Sequence, residues 1–270
     1  MANGALARVW PLFLRYTTPI MFVVIFLFFG LQSPRFLEID NISNILKQAS
    51  FTGIAAVGMT FVLLTAGIDL SVGSIMYLAP LIAGFAMRNF GFDVLPALLV
   101  ALIAGALMGG INAFFIVRLR IIPFIVTLSS LFFFRGAGTF LTESRQLDFP
   151  RSIIDFGLTE IFGIPLPIII FVVVVAIAYF VLTQTPYGRQ IYAVGNDREA
   201  ANKTGINTDR ITASVYVING VCAALAGFIL IAQIGRLDQA FAEGKEFDVI
   251  AAAVLGGASL FGGMGNAFGP

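Results

Sequence analysis

Histidine is absent from this 270-residue sequence, cysteine occurs once (Cys222), and lysine occurs three times (Lys47, Lys203 and Lys245). Without histidine there is no imidazole to ligate a metal and no histidine general base. A single cysteine excludes an intrachain disulfide. No lysine stands in the G-x-x-x-x-G-K-[ST] spacing, so these residues contain no phosphate-cradling P-loop. Charge is also scarce, at 11% of residues, where soluble domains carry about 25%. The net charge of +1 gives no basic surface for nucleic acid. Carboxylates do not cluster inside the apolar stretches, which leaves a membrane enzyme without an acid–base pair. No cofactor and no metal site is expected.

What fills the sequence is apolar: 59% of residues are hydrophobic, with 28 Phe and 28 Gly. A bilayer core takes roughly 20 apolar residues per spanning helix. Spans are read at Tyr16–Leu31, Ile45–Ala66, Val72–Ala86, Leu95–Val117, Ile121–Leu141, Ile161–Leu182 and Ile211–Ile234, with an eighth apolar run over Val249–Phe261. Leu6, Val9, Trp10, Phe13 and Leu14 share one helical face, so residues 1–15 read as an amphipathic helix lying in the membrane interface. The expected fold is all-α, a polytopic membrane helical bundle forming one domain over 1–270. Arg118-Leu-Arg120 sits in a tight turn without acids, whereas the connection Arg135–Glu160 carries four acids against three arginines. Short basic loops stay in the cytoplasm, which puts the N-terminus and the long loop Thr183–Arg210 inside.

Gly67-Ile-Asp-Leu-Ser-Val-Gly-Ser74 separates two apolar runs. An acid at mid-bilayer costs roughly 2.5–3.5 kcal/mol on insertion scales. Asp69 is therefore expected to be satisfied, with Asp69 or Ser71 capping the next helix, or used along a substrate path. Gly105-x-x-x-Gly109-Gly110 is a small-residue face for close helix approach, and Asn112 follows it on the same helix. Pro123 opens a helix carrying Thr127, Ser129 and Ser130, and Arg135 near its far end is expected to snorkel to the interface. In the loop Thr183–Arg210, which holds seven charged residues, Asn196 or Asp197 can cap a short helix and Glu199 stands in capping-box spacing from Asn196. Gly205 can end that helix in the left-handed conformation. The reading is a two-turn helix with Ala200 and Ala201 exposed. In Gly244–Gly269, glycines at 256, 257, 262, 263, 265 and 269 disfavour a straight helix and predict a bent or partly unwound one.

Four of these segments carry a resemblance in the same order: GIDLSVGS, PFIVTL with RG after it, YGRQIYAVGNDREAANKTGI and GGASLFGG. Over about Ile45–Gly269 the sequence resembles the permease subunit of bacterial ABC importers for monosaccharides, the ribose-transporter type. The resemblance implies a vitamin-B12-importer-like helical arrangement, a permease homodimer or heterodimer in the inner membrane, a cytoplasmic ABC ATPase and a periplasmic sugar-binding protein. It implies that Asp197–Gly205 is the coupling helix that docks on the ATPase, with Arg189, Asn196, Asp197, Glu199, Ala200, Ala201, Lys203 and Gly205 as contact candidates. Asp69, Ser71, Asn112, Thr127, Ser130, Asn219 and Gln233 are the candidates for the translocation path. The sequence departs from the family pattern at Ala113, where glycine is usual, and at Gly195-Asn196-Asp197, where Gly-Gly-Asn is usual. Family members also continue past the last glycine motif, so C-terminal helices are expected to be missing here. The alternatives are a branched-chain amino-acid or signal-molecule ABC permease, and an ion-coupled secondary transporter, for which Asp69 is the one intramembrane acid available.

Overall fold

The computed structural model describes residues 17–267. Its chain divides into two compact units, Met1–Leu46 and Lys47–Pro270. In the first, helix α1 (Thr17–Gln32) is followed by a 3-10 turn, Pro34–Leu37, and by the start of α2 (Ile39–Leu64). Phe36 of the turn packs edge-on against Phe26, 5.2 Å between ring centres. Asn41 Nδ2 donates to Phe36 O at 2.8 Å. Met21, Phe22, Val24, Leu27 and Phe28 of α1 are exposed, as an apolar helix facing acyl chains would be.

The second unit holds the rest of α2 and, among the described residues, nine further α-helices. These begin with α3 (Val72–Phe90), α4 (Val94–Ala113, continued by a π-turn over Phe114–Arg118) and α5 (Pro123–Leu141). After the short α6 (Arg151–Leu158) comes α7 (Leu166–Gln184), then α8 (Pro186–Asn196) and α9 (Arg198–Lys203). The long α10 (Thr208–Ile234) and α11 (Lys245–Leu255) complete the set. Among the described residues, strands are confined to two ribbons: β1 (Leu147–Asp148) antiparallel to β4 (Arg236–Leu237), and β2 (Glu160–Ile161) to β3 (Ile164–Pro165). Among the described residues, five helices are long and apolar enough to cross a membrane: α2, α4 with its π-turn, α5, α7 and α10. The protein is a polytopic helical membrane bundle.

Helices α2, α3 and α10 form its interior. Ile54, Met59, Leu63, Ile75, Met76, Leu81 and Phe228 are fully buried there. Glycines set the closeness. A Cβ on Gly105 of α4 would run into Gly220 O of α10, and one on Gly220 would run into Gly105 O. Gly109 meets the backbone of Tyr216 in the same way, whereas Gly110 faces open space. With lipid as apolar as leucine, such backbone-to-backbone contact is what drives helix association in a bilayer. Pro80 inside α3 has no N–H for the carbonyl of Met76, and Gly227 of α10 packs against that carbonyl.

Several expected boundaries move. The span beginning at Ile161 starts instead at Leu166, because Phe162 and Gly163 take positive φ (54° and 75°) and turn the ribbon ahead of it. The run Val249–Phe261 is helical only to Leu255; Gly257, Gly262, Gly263 and Gly265 then adopt φ from 69° to 150° and unwind it, as the glycine spacing predicts. Arg135, near the far end of α5, is tied to the loop before α11. Its Nη1 donates to Gln239 O (3.0 Å) and Phe241 O (2.9 Å), and its guanidinium lies 5.1 Å from the Tyr77 ring centre. The two carbonyls and the ring face hold the cation in place. The interfacial helix read at 1–15 lies outside the described residues.

The glycine contacts make a directional expectation. Gly220→Leu should abolish a monodisperse folded protein, because backbone rather than a flexible side chain blocks the new group and overpacking costs roughly 1–3 kcal/mol or more. Gly110→Ala should leave the thermal midpoint in detergent essentially unchanged. Equal behaviour of the two variants would contradict the packing.

Candidate functional site

The segment Thr65–Ser71 between α2 and α3 is not helical, and it carries Asp69 into the buried interior with no exposed surface. Asp69 Oδ1 accepts from Ser71 N (2.9 Å) and from Ser71 Oγ (2.6 Å); Oδ2 accepts from Asn219 Nδ2 of α10 (2.9 Å). Ser71 Oγ in turn accepts from Asn112 Nδ2 of α4 (2.8 Å), and Asn112 Oδ1 accepts from Ser130 Oγ of α5 (2.6 Å). The donors thus point, link by link, toward one carboxylate. Ser130 donates to Asn112, Asn112 to Ser71, and Ser71 and Asn219 to Asp69. No cation pairs with Asp69 among the described residues. Aligned neutral donors satisfy the carboxyl oxygens instead.

This arrangement differs from the cap expected at Asp69 or Ser71. Ser71 precedes the first turn of α3, but its hydroxyl caps no helix N–H. It is spent on the bond to Asp69. Asp69 closes a two-residue turn onto Ser71 N, outside the helix proper. The network gathers Asp69, Ser71, Asn112, Ser130 and Asn219, and Thr127 Oγ1 adds a longer bond to Ile68 O (3.3 Å). Gln233 stands apart, bonded to Lys47 O at 3.2 Å and about 21 Å along α10 from Asn219 at 1.5 Å per residue. Two buried polar atoms beside the network have no partner, Asn219 Oδ1 and Tyr216 OH. Gly58 and Gly67 make room for them: a Cβ on either would sit 2.8 Å from Asn219 Oδ1 and 2.5 Å from Tyr216 OH, respectively.

One end of the bundle is built from α8, α9 and the chain after α11. Thr185 caps α8 through Gly188 N (3.2 Å), with Pro186 at the first position. The Thr-Pro pair is a legible start signal, and α8 fills much of the stretch expected as the loop Thr183–Arg210. Asp197 caps α9 through Ala200 N (2.9 Å), and Gly205 follows at φ 87°. The helix is six residues rather than two full turns, and Ala201 is buried while Ala200 is exposed. Ala201 turns inward because the helix lies against the fold instead of standing free. No capping box forms. The cap falls at Asp197, so Glu199 is one position early and pairs with Lys203 at 2.8 Å. Arg189 and Asn196 lie on α8, Asn196 exposed at its end.

The C-terminus of α2 holds these pieces together. Its last carbonyl, Leu64 O, accepts from Gly263 N at 3.0 Å, which satisfies a group that the helix itself cannot. Gly195 packs so closely on the same carbonyl that no Cβ would fit. Tyr192 OH donates to Gly265 O at 2.8 Å. Burial raises the pKa of Tyr192 and, with Ser214 partly offsetting it, that of Tyr187, so both phenols remain neutral donors. A cavity of about 570 Å³ opens between the α2–α3 segment, the α4–α5 turn and the α8–α9 turn. Gly67, Arg120, Asn196, Arg198, Thr212 and Tyr216 are among its lining residues. Among the described residues no group of three potential metal ligands occurs.

A family model described as "branched-chain amino acid transport system / permease component" matches residues 41–270. The ribose import permease protein RbsC of Haemophilus influenzae is 37% identical over 255 residues, 93% of this chain and 79% of that protein. The Bacillus subtilis protein of the same name is 38% identical, over 89% of this chain and 75% of its own length. The D-allose transport system permease protein AlsC of Escherichia coli is 34% identical, over 94% and 78%. No solved structure matches.

The donor chain sets a measurable order of effects. Asp69→Asn should lower stability most, by roughly 2–3 kcal/mol, because the new amide opposes donors already aimed at that site. Ser130→Ala, at the far end, should cost about 1 kcal/mol. Thermal unfolding in detergent checks this, and the reverse order would contradict the polarity assigned to the chain.

Proposed function

The chain belongs to the permease family described as "branched-chain amino acid transport system / permease component", and from that membership we propose that it is the membrane-spanning permease subunit of an ATP-driven monosaccharide importer. The observation that carries the sugar reading is the set of relatives. They are named as import or transport permeases for ribose, allose, fructose and xylose, at 33–38% identity over most of this chain. The family's printed description names branched-chain amino acids instead, which keeps that substrate class as the second reading. As a permease, the subunit forms a passage and carries out no covalent chemistry. ATP hydrolysis belongs to a partner ATPase, and substrate is delivered by a sugar-binding protein on the opposite face of the inner membrane.

In this proposal two permease subunits pair, and the N-terminus and the α8–α9 end face the cytoplasm. The segment Asp197–Gly205 docks on the ATPase. Support for the docking segment is its build. Helix α9 alone is too short to be stable in water, and it is held from below by buried Ala201 and by the Asp197 cap, leaving Arg198, Glu199, Ala200, Asn202 and Lys203 outward. Passage of substrate by Asp69, Ser71, Asn112, Thr127, Ser130 and Asn219 requires the buried network to open, since all but Ser130 are sealed in this conformation. Ser129 and Ser130 border a largely apolar groove of about 410 Å³ between α4 and α5. Alternating access by rigid-body helix movement is the means by which such a network would be broken and remade.

Proteoliposomes containing this chain, an ABC ATPase and a monosaccharide-binding protein should accumulate ribose or a related monosaccharide only with ATP. Gly205→Val should suppress uptake while the permease stays in the membrane. Space for the side chain exists, since nothing lies within 4 Å, but φ of 87° opposes a β-branched residue. ATP-dependent uptake of leucine or valine with no monosaccharide carried would replace the sugar reading with the second one.

A further inference from the structure

Asp209, in the first turn of α10, accepts from two arginines on two other elements. Arg120 of the α4–α5 turn binds it through both ends of its guanidinium, Nη1 to Oδ1 at 2.9 Å and Nη2 to Oδ2 at 2.8 Å. Arg198, the first residue of α9, donates from Nη2 to Oδ1 at 2.8 Å. We propose that Asp209 is a positioning residue for transport: with Arg120 and Arg198 it forms the joint that carries movement of α9 to the start of α5.

Three observations support the joint. The 570 Å³ cavity separates the α8–α9 turn from the α4–α5 turn, with Arg120 and Arg198 on its walls. The two turns are therefore not packed against each other, and the hydrogen bonds and ion pairs of the described residues connect them only through Asp209. Arg120 also holds a backbone φ of 59°, a conformation that a non-glycine residue keeps only where its surroundings fix it. Pro123 begins α5 three residues later, so a shift at Arg120 meets a stiff start rather than a slack loop. Seven residues further along α5, Ser130 is the end of the donor chain that reaches Asp69. The pairs are solvent-exposed, with side chains 38% to 64% accessible, and exposed pairs add little to stability. What the bidentate geometry adds is direction. Displacing α9 pulls on Asp209, and Asp209 pulls on Arg120.

This joint rests on the proposal that α9 docks on an ATPase, and the test separates the two. The full chain is reconstituted with its ATPase and binding protein as wild type, Arg120→Gln, Asp209→Asn, the double variant and the neighbouring control Arg210→Gln. Sugar imported per ATP hydrolysed and ATPase co-purification are read for each. The joint predicts that each single variant keeps the ATPase bound but lowers sugar per ATP by about five-fold or more. The double variant should be no worse than the singles, and Arg210→Gln should match wild type. Unchanged coupling in both singles, or losses that multiply in the double, would overturn the joint while leaving the importer reading intact. A wild-type chain that neither binds the ATPase nor imports would remove the docking proposal and the joint with it.

Discussion

A carboxylate with no exposed surface, and no cation beside it, is the constraint that orders this bundle. A buried carboxyl group is costly to keep unless its oxygens are hydrogen-bonded. Asp69 meets that demand with donors from its own turn and from α10, and the turn is reinforced in series by α4 and α5. Each of these elements must stand where it stands for the chain of donors to close. The unwound Thr65–Ser71 segment is consequently fixed in register, although it has no helical ladder of its own.

Close packing and polar satisfaction reinforce each other here. The α4–α10 contact through Gly105, Gly109 and Gly220 brings Asn112 and Asn219 to opposite sides of the same turn. Without those glycines the helices would stand too far apart for side chains as short as asparagine to bridge. At the C-terminus of α2, Gly195 and Gly263 both converge on Leu64 O, which joins the α8–α9 end to the helix that leads directly into the Asp69 segment. The α8–α9 end is therefore tied to the rest of the fold at two places, the C-terminus of α2 and the Asp209–Arg120 pair.

Much of this was legible in the sequence because it follows from local rules. The break at Gly67–Ser74, the small-residue face at Gly105 and Gly109, Pro123 at a helix start, the Asp197–Gly205 helix and the unwinding after Gly256 all come from residue type and spacing. The polar residues singled out were also largely the ones that meet. What the sequence did not reveal are pairings across long separations. Asn219 lies 150 residues from Asp69, and Asp209 lies 89 from Arg120; no periodicity encodes either. Gln233 looked equivalent to Asn219 by type, and only the rise of α10 separates them. The carbonyls that hold Arg135 come from a turn more than 100 residues later, which its own segment does not encode. Glu199 misses the capping box because Asp197 rather than Asn196 is the cap, and Ala201 is buried because α9 lies against the fold, which local spacing does not encode.

Asn112 and Asn219, on different helices, both act on the Asp69 turn. A double-mutant cycle measures it: Asn112→Ala, Asn219→Ala and the pair, by thermal or denaturant unfolding in detergent. A coupling energy beyond about 0.5 kcal/mol is expected, since losing either amide changes what the other can satisfy. Effects that simply add, as those of unconnected sites do, would contradict it.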